Sequence, residues 1–519
     1  MRRVILIHPY YNYYESYPLG LAYLSAVLKQ QRKCDVQVID CSAPFNRLTD
    51  NDVYSMIKNF KPDIIGIYIN VYQALNAYKL AALAKNFGVP IIAGGPHVCA
   101  VPEEVLGKGF DIAVKGEAEE TIIDILDWLD GLKRLDSIPG IFFKDGGKIL
   151  ATRERKGPSD LSLLPLPDHD QFPLSHYYSS AQQVKKEFYF KISSSRGCPF
   201  SCIFCALVGG HTFRAKKSSL VVEEIRHYVD KYGIKYLTFI DPAFTVSRQR
   251  VHELCDLLIA EPKIKIKWCI DTRVDMVDRN LLQKMAAAGC TGIIYGVESG
   301  SDETLKKIHK GFTLNQVNHA LEWTQSLGIS VSINSIVGFP WEKKSHIEDT
   351  KRILRSYAKK LNLVPTYNVP IPYSGTLLYD EYHKQYGFTN WWLDSSYSYN
   401  IKPINGRTPY FFRATPYLDH FMLKKNFFNY SPLFSQYIYR TLIGNCLYIK
   451  RESEGWLRTY FLFLIGNLSL CLCNINPKLE YICVSWLESE SLRSFRRFIN
   501  CLSLFIKNLF HSAGSRNKK

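Results

Sequence analysis

"FYFKISSSRGCPFSCIFC" spans Phe188–Cys205 and sets a strand-like run, Phe188–Ile192, directly before Cys198, Cys202 and Cys205. A glycine precedes the first cysteine and a proline follows it. Outward from this stretch the pattern repeats. "YLTFI", "KWCI", "GIIYG", "SVSINSIVG" and "TYNVP" read as further strands, separated by helical patterns such as "SLVVEEIRHYVDKYG" and "RNLLQKMAAAG". Six βα units over 187–385 predict a partial (β/α)6 barrel, whose chemistry belongs at the carboxyl ends of its strands. The cysteines follow the first strand, at such an end.

Toward the amino terminus the alternation continues. "VILIH" (Val4–His8), "VQVI" (Val36–Ile39), "IIGIYI" (Ile64–Ile69), "IIA" (Ile91–Ala93) and "IAV" (Ile112–Val114) read as buried strands between amphipathic stretches. This βαβα order over 1–140 predicts a doubly wound, Rossmann-like parallel sheet with its ligand site at the strands' carboxyl ends. "GIFFKDGGKIL" reads as a hairpin turning at Asp145-Gly146-Gly147. With the proline-rich stretch behind it, it forms a hairpin-and-linker segment, 141–186. Residues 386–519 lack the alternation and read as a basic, aromatic, mainly helical region.

The 519 residues are 46% hydrophobic and 22% charged, within the globular range. "MRRVILIHPYY" carries too short an apolar run for a secretory leader, so a cytoplasmic location is expected, with contact at the inner membrane face as an option. The fourteen cysteines are then reduced thiols, and most, such as Cys255 and Cys290, sit in apolar helical patterns. About two-thirds of the net charge of +17 falls after residue 400, which points to an anionic partner without naming it.

Structural zinc wants four closed ligands, and no second cysteine pair with zinc spacing lies near 198–205. A [4Fe–4S] cluster normally takes four thiolates. Three on one loop leave one iron open to a substrate or cofactor. "CPFSCIFC" resembles the C-x3-C-x-aromatic-C signature of the radical S-adenosylmethionine (SAM) superfamily, with Phe204 as the aromatic residue. The resemblance implies that Cys198, Cys202 and Cys205 hold the cluster and that its open iron chelates SAM. Reductive cleavage of SAM then releases a 5′-deoxyadenosyl radical that abstracts a hydrogen. It further implies SAM contacts at Glu298 and Ser299 of "GVESG" and at Ile336 and Gly338 of "INSIVGFPWE", with Glu342 structural. Arg273 of "WCIDTRVD" is a candidate carboxylate partner or a strand-end ion pair. Asp241 of "FIDPAFT" is a candidate for the methionine amine or a turn cap; Pro242 stands where many relatives carry a second acid.

"PLGLAYLSAVLK", "IIAGGPHVCAVPEEVL" and "DIAVKGEAEETI" resemble, in that order, the cobalamin-binding domain fused to many radical SAM proteins. The candidate cobalamin contacts are Pro18, Leu19 and Gly20, then Gly94, Gly95, Pro96 and His97, then Gly116 and Glu117. The D-x-H-x-x-G motif that supplies a cobalt-ligating histidine in mutases is absent. Cobalamin is therefore expected without a protein histidine ligand. Tyr68 stands where many such domains carry a small serine, which crowds the tail pocket. With the two cofactors on different domains, their sites are expected to fill independently.

The resemblance implies a cobalamin-dependent C-methyltransferase acting on a poorly activated carbon. The rivals are a cyclase or rearrangement enzyme of the same architecture, an RNA methylthiotransferase-like enzyme, and a non-catalytic iron–sulfur protein. The methylthiotransferases carry additional cluster cysteines, whereas Cys34, Cys41 and Cys99 are scattered here, so a nucleic-acid partner is disfavoured. The expected partners are a small molecule (lipid, tetrapyrrole or natural-product intermediate) and an electron donor such as flavodoxin or ferredoxin. "ESLRSFRRFINCLSLFIKNLF" (Glu490–Phe510) reads as a basic amphipathic helix, suited to an anionic membrane surface or to packing on the barrel. "YFLFLIGNLSLCLCNI" (Tyr460–Ile475) is shorter than the roughly 20 residues of a span.

Overall fold

The computed structural model describes residues 1–394 apart from 11–16, 44–47, 175–176, 178–188, 208, 362–364 and 369. The chain divides into two compact units, and every described residue belongs to the first. The stretches at 460–475 and 490–510 lie outside the described residues.

Five strands, β1 (Arg3–His8), β2 (Asp35–Asp40), β3 (Ile64–Tyr68), β4 (Ile91–Gly94) and β5 (Ile112–Val114), pair in parallel in the order β2-β1-β3-β4-β5. The inner strands β1, β3, β4 and β5 read as near-continuous apolar runs because both faces are covered, whereas the edge strand β2 carries Gln37. Val4 and Leu6 pack with α1 (Leu19–Arg32) and α6 (Glu119–Leu129). Their neighbours Ile5 and Ile7 pack with α2 (Asp50–Phe60), α3 (Ala74–Ala84) and α5 (Pro102–Gly107) on the other face. A capping box, Thr49 with Asp52, starts α2. The short helix α4 (Pro96–Ala100) begins at the Gly94-Gly95 turn.

The expected hairpin is present as β6 (Ile141–Asp145) and β7 (Lys148–Ala151), but it is not part of the linker. It pairs antiparallel with β5 and extends the first sheet to seven strands. The three-residue β5 would otherwise be an open edge, and the hairpin covers it.

The second sheet is wholly parallel: β8 (Tyr189–Ile192), β11 (Tyr236–Phe239), β12 (Lys267–Thr272), β13 (Cys290–Glu298), β14 (Ser330–Ile336) and β15 (Pro365–Asn368), each beside the next. Strands β8 and β15 are its two edges, so the barrel is partial. Phe190, Ile192, Leu237, Phe239, Trp268 and Ile270 are buried in the core with the outer helices α7 (Ser218–Tyr232) and α8 (Arg248–Ile259). The alternate residues, among them Lys191, Thr238 and Asp271, face the lumen. A separate two-stranded bracket, β9 (Ser195–Arg196) with β10 (Arg214–Ala215), follows β8. No described helix is long and apolar enough to cross a membrane.

Candidate active site

The bracket encloses residues 197–213 and so forms the neck of the cysteine loop. Gly197 has φ +80°, and a Cβ there would lie 2.1 Å from the Thr212 carbonyl oxygen. The Cys198 amide donates to the Gly210 carbonyl at 3.1 Å and the Cys205 amide to Cys202 at 3.1 Å. Cys202 Sγ lies 4.0 Å from the His309 carbonyl oxygen, and the Ile203 amide donates to Ile308 at 3.4 Å. The loop thus rests on the segment after β13.

No three His, Cys, Asp or Glu side chains converge on a single metal ion among the described residues. The three thiols are nonetheless within electrostatic reach. Burial, and then Cys202 and Cys198, push the Cys205 thiol up to about 11, while Lys310 opposes the rise. Thiolates grouped in this way want a multiply charged cation among them.

Asp241, fully buried after β11, accepts from the Ser194 amide at 2.7 Å and from the Ser194 and Ser195 hydroxyls, both at 2.6 Å. Both of its oxygens prop the entry to the cysteine loop. That is a capping role, and no lone oxygen is presented for an incoming amine.

Arg273 lies across from the loop. Its Nε and Nη2 donate to the Asp275 carboxylate, each at 2.9 Å, and Nη2 also donates to the Lys310 carbonyl. The ring of Phe200, between Cys198 and Cys202, lies 3.7 Å from the guanidinium carbon. Its buried Nη1 has no hydrogen-bond partner. An unsatisfied buried cationic donor beside the cysteines fits the carboxylate of a bound SAM.

Glu298 adopts a left-handed φ of +68° at the end of β13 and takes the Lys310 ammonium at 3.2 Å. Ser299 is turned inward, paired with the Thr350 hydroxyl at 3.2 Å and accepting from the Ser301 amide at 3.2 Å. Ile336 ends β14 and is half-buried. Gly338, φ +99°, donates its amide at 2.6 Å to Glu342, which also accepts from Phe339. Glu342 is structural, as expected, and burial pushes its carboxyl up to about 7. The structure therefore brings Arg273, Glu298, Ile336 and Gly338 to the carboxyl ends of three neighbouring strands. Asp241 and Ser299 serve the framework instead. Sequence reasoning missed Lys310, whose tie to Glu298 leaves no signature at a separation of twelve residues.

A cavity of about 340 Å³ opens at the carboxyl edge of the first sheet. Leu19, Gly20, Gly94, Gly95 and Glu117 line it together with Tyr68. Its far wall is the entry to the cysteine loop: Ser193, Ser195, Arg196 and Gly197. Gly94 leaves open space where a Cβ would stand, whereas a Cβ on Gly95 would meet Ile69 and Tyr68. This apolar cradle with bare backbone at its rim fits the nucleotide tail of a corrin.

Four expected contacts fall elsewhere. Pro18 caps α1 with its carbonyl, which accepts from the Leu21 amide at 2.9 Å. Pro96 opens α4, and the Gly116 amide donates to Cys99 Sγ at 3.2 Å. His97 is buried away from the cavity, its Nε2 3.1 Å from the Tyr78 hydroxyl and its Nδ1 3.5 Å from Ser374 Oγ. It is a helix-start residue that packs toward the barrel, and sequence position alone did not separate that role from a tail contact. His8 is tied at both nitrogens, Nδ1 to Asp40 at 2.7 Å and Nε2 to Gln73 at 3.0 Å.

Two domain models match the chain where this geometry lies: the B12 binding domain over residues 11–126 and the radical SAM superfamily over 192–354. The chain belongs to the family of radical SAM enzymes that carry a cobalamin-binding domain. It is 32% identical over 372 residues to an uncharacterized methyltransferase of Pyrococcus horikoshii, covering 70% of this chain and 78% of that one. It is 25% identical over 403 residues to the anaerobic magnesium-protoporphyrin IX monomethyl ester cyclase of Cereibacter sphaeroides, covering 74% and 64%. The radical SAM methyltransferase TsrM of Kitasatospora setae, solved with cobalamin and a [4Fe–4S] cluster, superposes with a TM-score of 0.61 at 17% identity, over 74% of this chain and 75% of that one.

Proposed function

We propose that this chain is a cobalamin-dependent C-methyltransferase acting on a small molecule at a poorly activated carbon. One observation carries the reading: a single cavity is walled by the carboxyl edge of the first sheet and by the entry to the cysteine loop. The two cofactors would then face one reaction space. When bound, the cluster supplies an electron to SAM and the corrin supplies a transferable methyl group.

The protein's own part is placement and exclusion of water. Cys198, Cys202 and Cys205 would hold the cluster, and the unsatisfied Nη1 of Arg273 would take the SAM carboxylate. Glu298 and Lys310 stand at the SAM edge of β13, and Ile336 with the Gly338 turn flanks the adenine. Leu19, Gly20, Gly94 and Gly95 take the corrin tail. Asp271 and Lys191 face the lumen where the substrate enters; enclosure by the barrel pushes the Asp271 carboxyl up to about 6. The electron would come from a one-electron carrier such as flavodoxin or ferredoxin. The basic, aromatic sequence of 490–510 would offer a membrane-surface contact.

Similarity to the magnesium-protoporphyrin cyclases favours one rival, ring closure without methyl transfer. Expression with methyl-deuterated methionine separates the two. A metabolite that gains a trideuteromethyl group only when the intact gene is present supports methyl transfer. A new product of unchanged methyl count supports cyclisation.

A further inference from the structure

Strands β9 and β10 place Arg196 directly opposite Arg214. A two-residue antiparallel pair is not stable by itself, and like charges facing each other weaken it further. What closes it comes from the other domain. Glu117, in the loop after β5, accepts from Arg196 Nη1 at 2.9 Å and from Arg214 Nη1 at 3.2 Å through one oxygen. Its second oxygen takes Arg214 Nη2. Glu119, the first residue of α6, pairs with Arg196 Nη2 at 2.7 Å.

These charges are largely out of water: the side chains of Glu117, Arg214 and Arg196 are 9%, 11% and 17% exposed. Removing one member leaves an uncompensated buried charge. The neck has little slack, because Gly197 abuts Thr212 and Gly157 of the linker lies against both Glu117 and Arg214. Glu117, Glu119, Arg196 and Gly197 all line the 340 Å³ cavity, and Cys198 is the next residue in the chain.

We propose that Glu117 is a positioning residue that joins the two cofactor sites. On the cavity wall, its carboxylate closes the neck of the cysteine loop through Arg196 and Arg214, so filling the cavity and assembling the cluster strengthen each other. The inference rests on the corrin reading of the cavity. It replaces the expectation that the two sites fill independently, and linkage requires the effect to be reciprocal.

The test measures hydroxocobalamin binding by anaerobic equilibrium dialysis of the full-length protein, with its cluster reconstituted and after iron is removed by a chelator. Wild type is expected to bind hydroxocobalamin about fivefold or more tightly with the cluster present, the lower end of usual coupling. Glu117→Gln should bind in both states with a ratio near one. Hydroxocobalamin should likewise slow iron loss to the chelator in wild type and not in Glu117→Gln. Should that variant fail to fold, Glu119→Gln, which frees only one Arg196 nitrogen, should give a reduced ratio. A wild-type ratio of one, or a full ratio in the variants, overturns the coupling and leaves the corrin site standing. Absence of binding in every form overturns both.

Discussion

Gly94 and Gly95 are adjacent, yet alanine at each should fail in a different way. Gly95 has φ +113° and ψ 177°, a region essentially reserved for glycine, where any other residue costs about 1–3 kcal/mol. Its new Cβ would also stand 2.7 Å from the Ile69 carbonyl oxygen and 3.0 Å from both the Ile69 nitrogen and the Tyr68 ring. Ile69 is held on both sides, donating to Gly94 at 2.7 Å and accepting from the His97 amide at 3.1 Å. Relief of the contact costs one of these bonds, about 1 kcal/mol. Gly95→Ala should therefore destabilise the fold by about 2–4 kcal/mol. Gly94 has no positive φ, and nothing lies within 4 Å of its would-be Cβ, but it borders the cavity. Gly94→Ala should leave stability within about 0.5 kcal/mol. Its methyl takes space from the ligand, an overpacking of about 1–3 kcal/mol, or roughly tenfold in hydroxocobalamin affinity. Chemical denaturation and corrin retention after desalting read the two effects separately. Wild-type stability in Gly95→Ala, or wild-type corrin retention in Gly94→Ala, would refute this assignment of the cradle.

Asp241→Asn turns an amide donor toward donors that now meet a carboxylate, so it should cost about 2–3 kcal/mol of unfolding free energy, lower the denaturation midpoint and reduce iron retention; an unchanged midpoint would contradict the propping role. Glu342 has a folded-state pKa raised to about 7 from 4.5, so the folded state keeps a proton that the unfolded chain has lost between about pH 4.5 and 7, and stability falls as pH rises through that window. Glu342→Gln removes this penalty, and its stability relative to wild type should rise by a few kcal/mol between pH 5 and pH 8, seen in urea melts at both pH values; a constant difference would count against the buried carboxyl. Arg273→Lys keeps the charge but loses the planar fork and the stack on Phe200, so isothermal titration should show SAM binding weakened about tenfold with the cluster's absorption unchanged. Unaltered SAM affinity would return Arg273 to a purely structural ion pair.

The strands of the first sheet were legible because helices cover both of its faces, which writes its inner strands as apolar runs, whereas in the barrel the residues packed on the outer helices alternate with lumen-facing ones such as Lys191 and Asp271. The cysteine loop was legible because its ligand spacing is local. Partners that meet only in space were not. Arg196 and Arg214 lie eighteen residues apart on two-residue strands that carry no periodicity, and their shared carboxylate comes from another domain. Lys310 answers Glu298 only because the chain returns under β13. The hairpin's turn could be read at Gly146-Gly147, but its pairing with β5 could not, since a three-residue strand says nothing about which edge it leaves open. His97 and Asp241 carry the right chemistry at the right turns, and neighbouring hydrogen bonds consume it.

The most direct measurement is the cofactor content of one preparation: the full-length protein, purified without oxygen, reconstituted with iron and sulfide, supplied with hydroxocobalamin and desalted. About one corrin and one [4Fe–4S] cluster per chain are expected, with the cluster lost when Cys198, Cys202 and Cys205 are replaced by alanine. An intact cluster with no retained corrin would contradict cobalamin-dependent methyl transfer and leave a radical SAM enzyme whose amino-terminal domain serves another purpose.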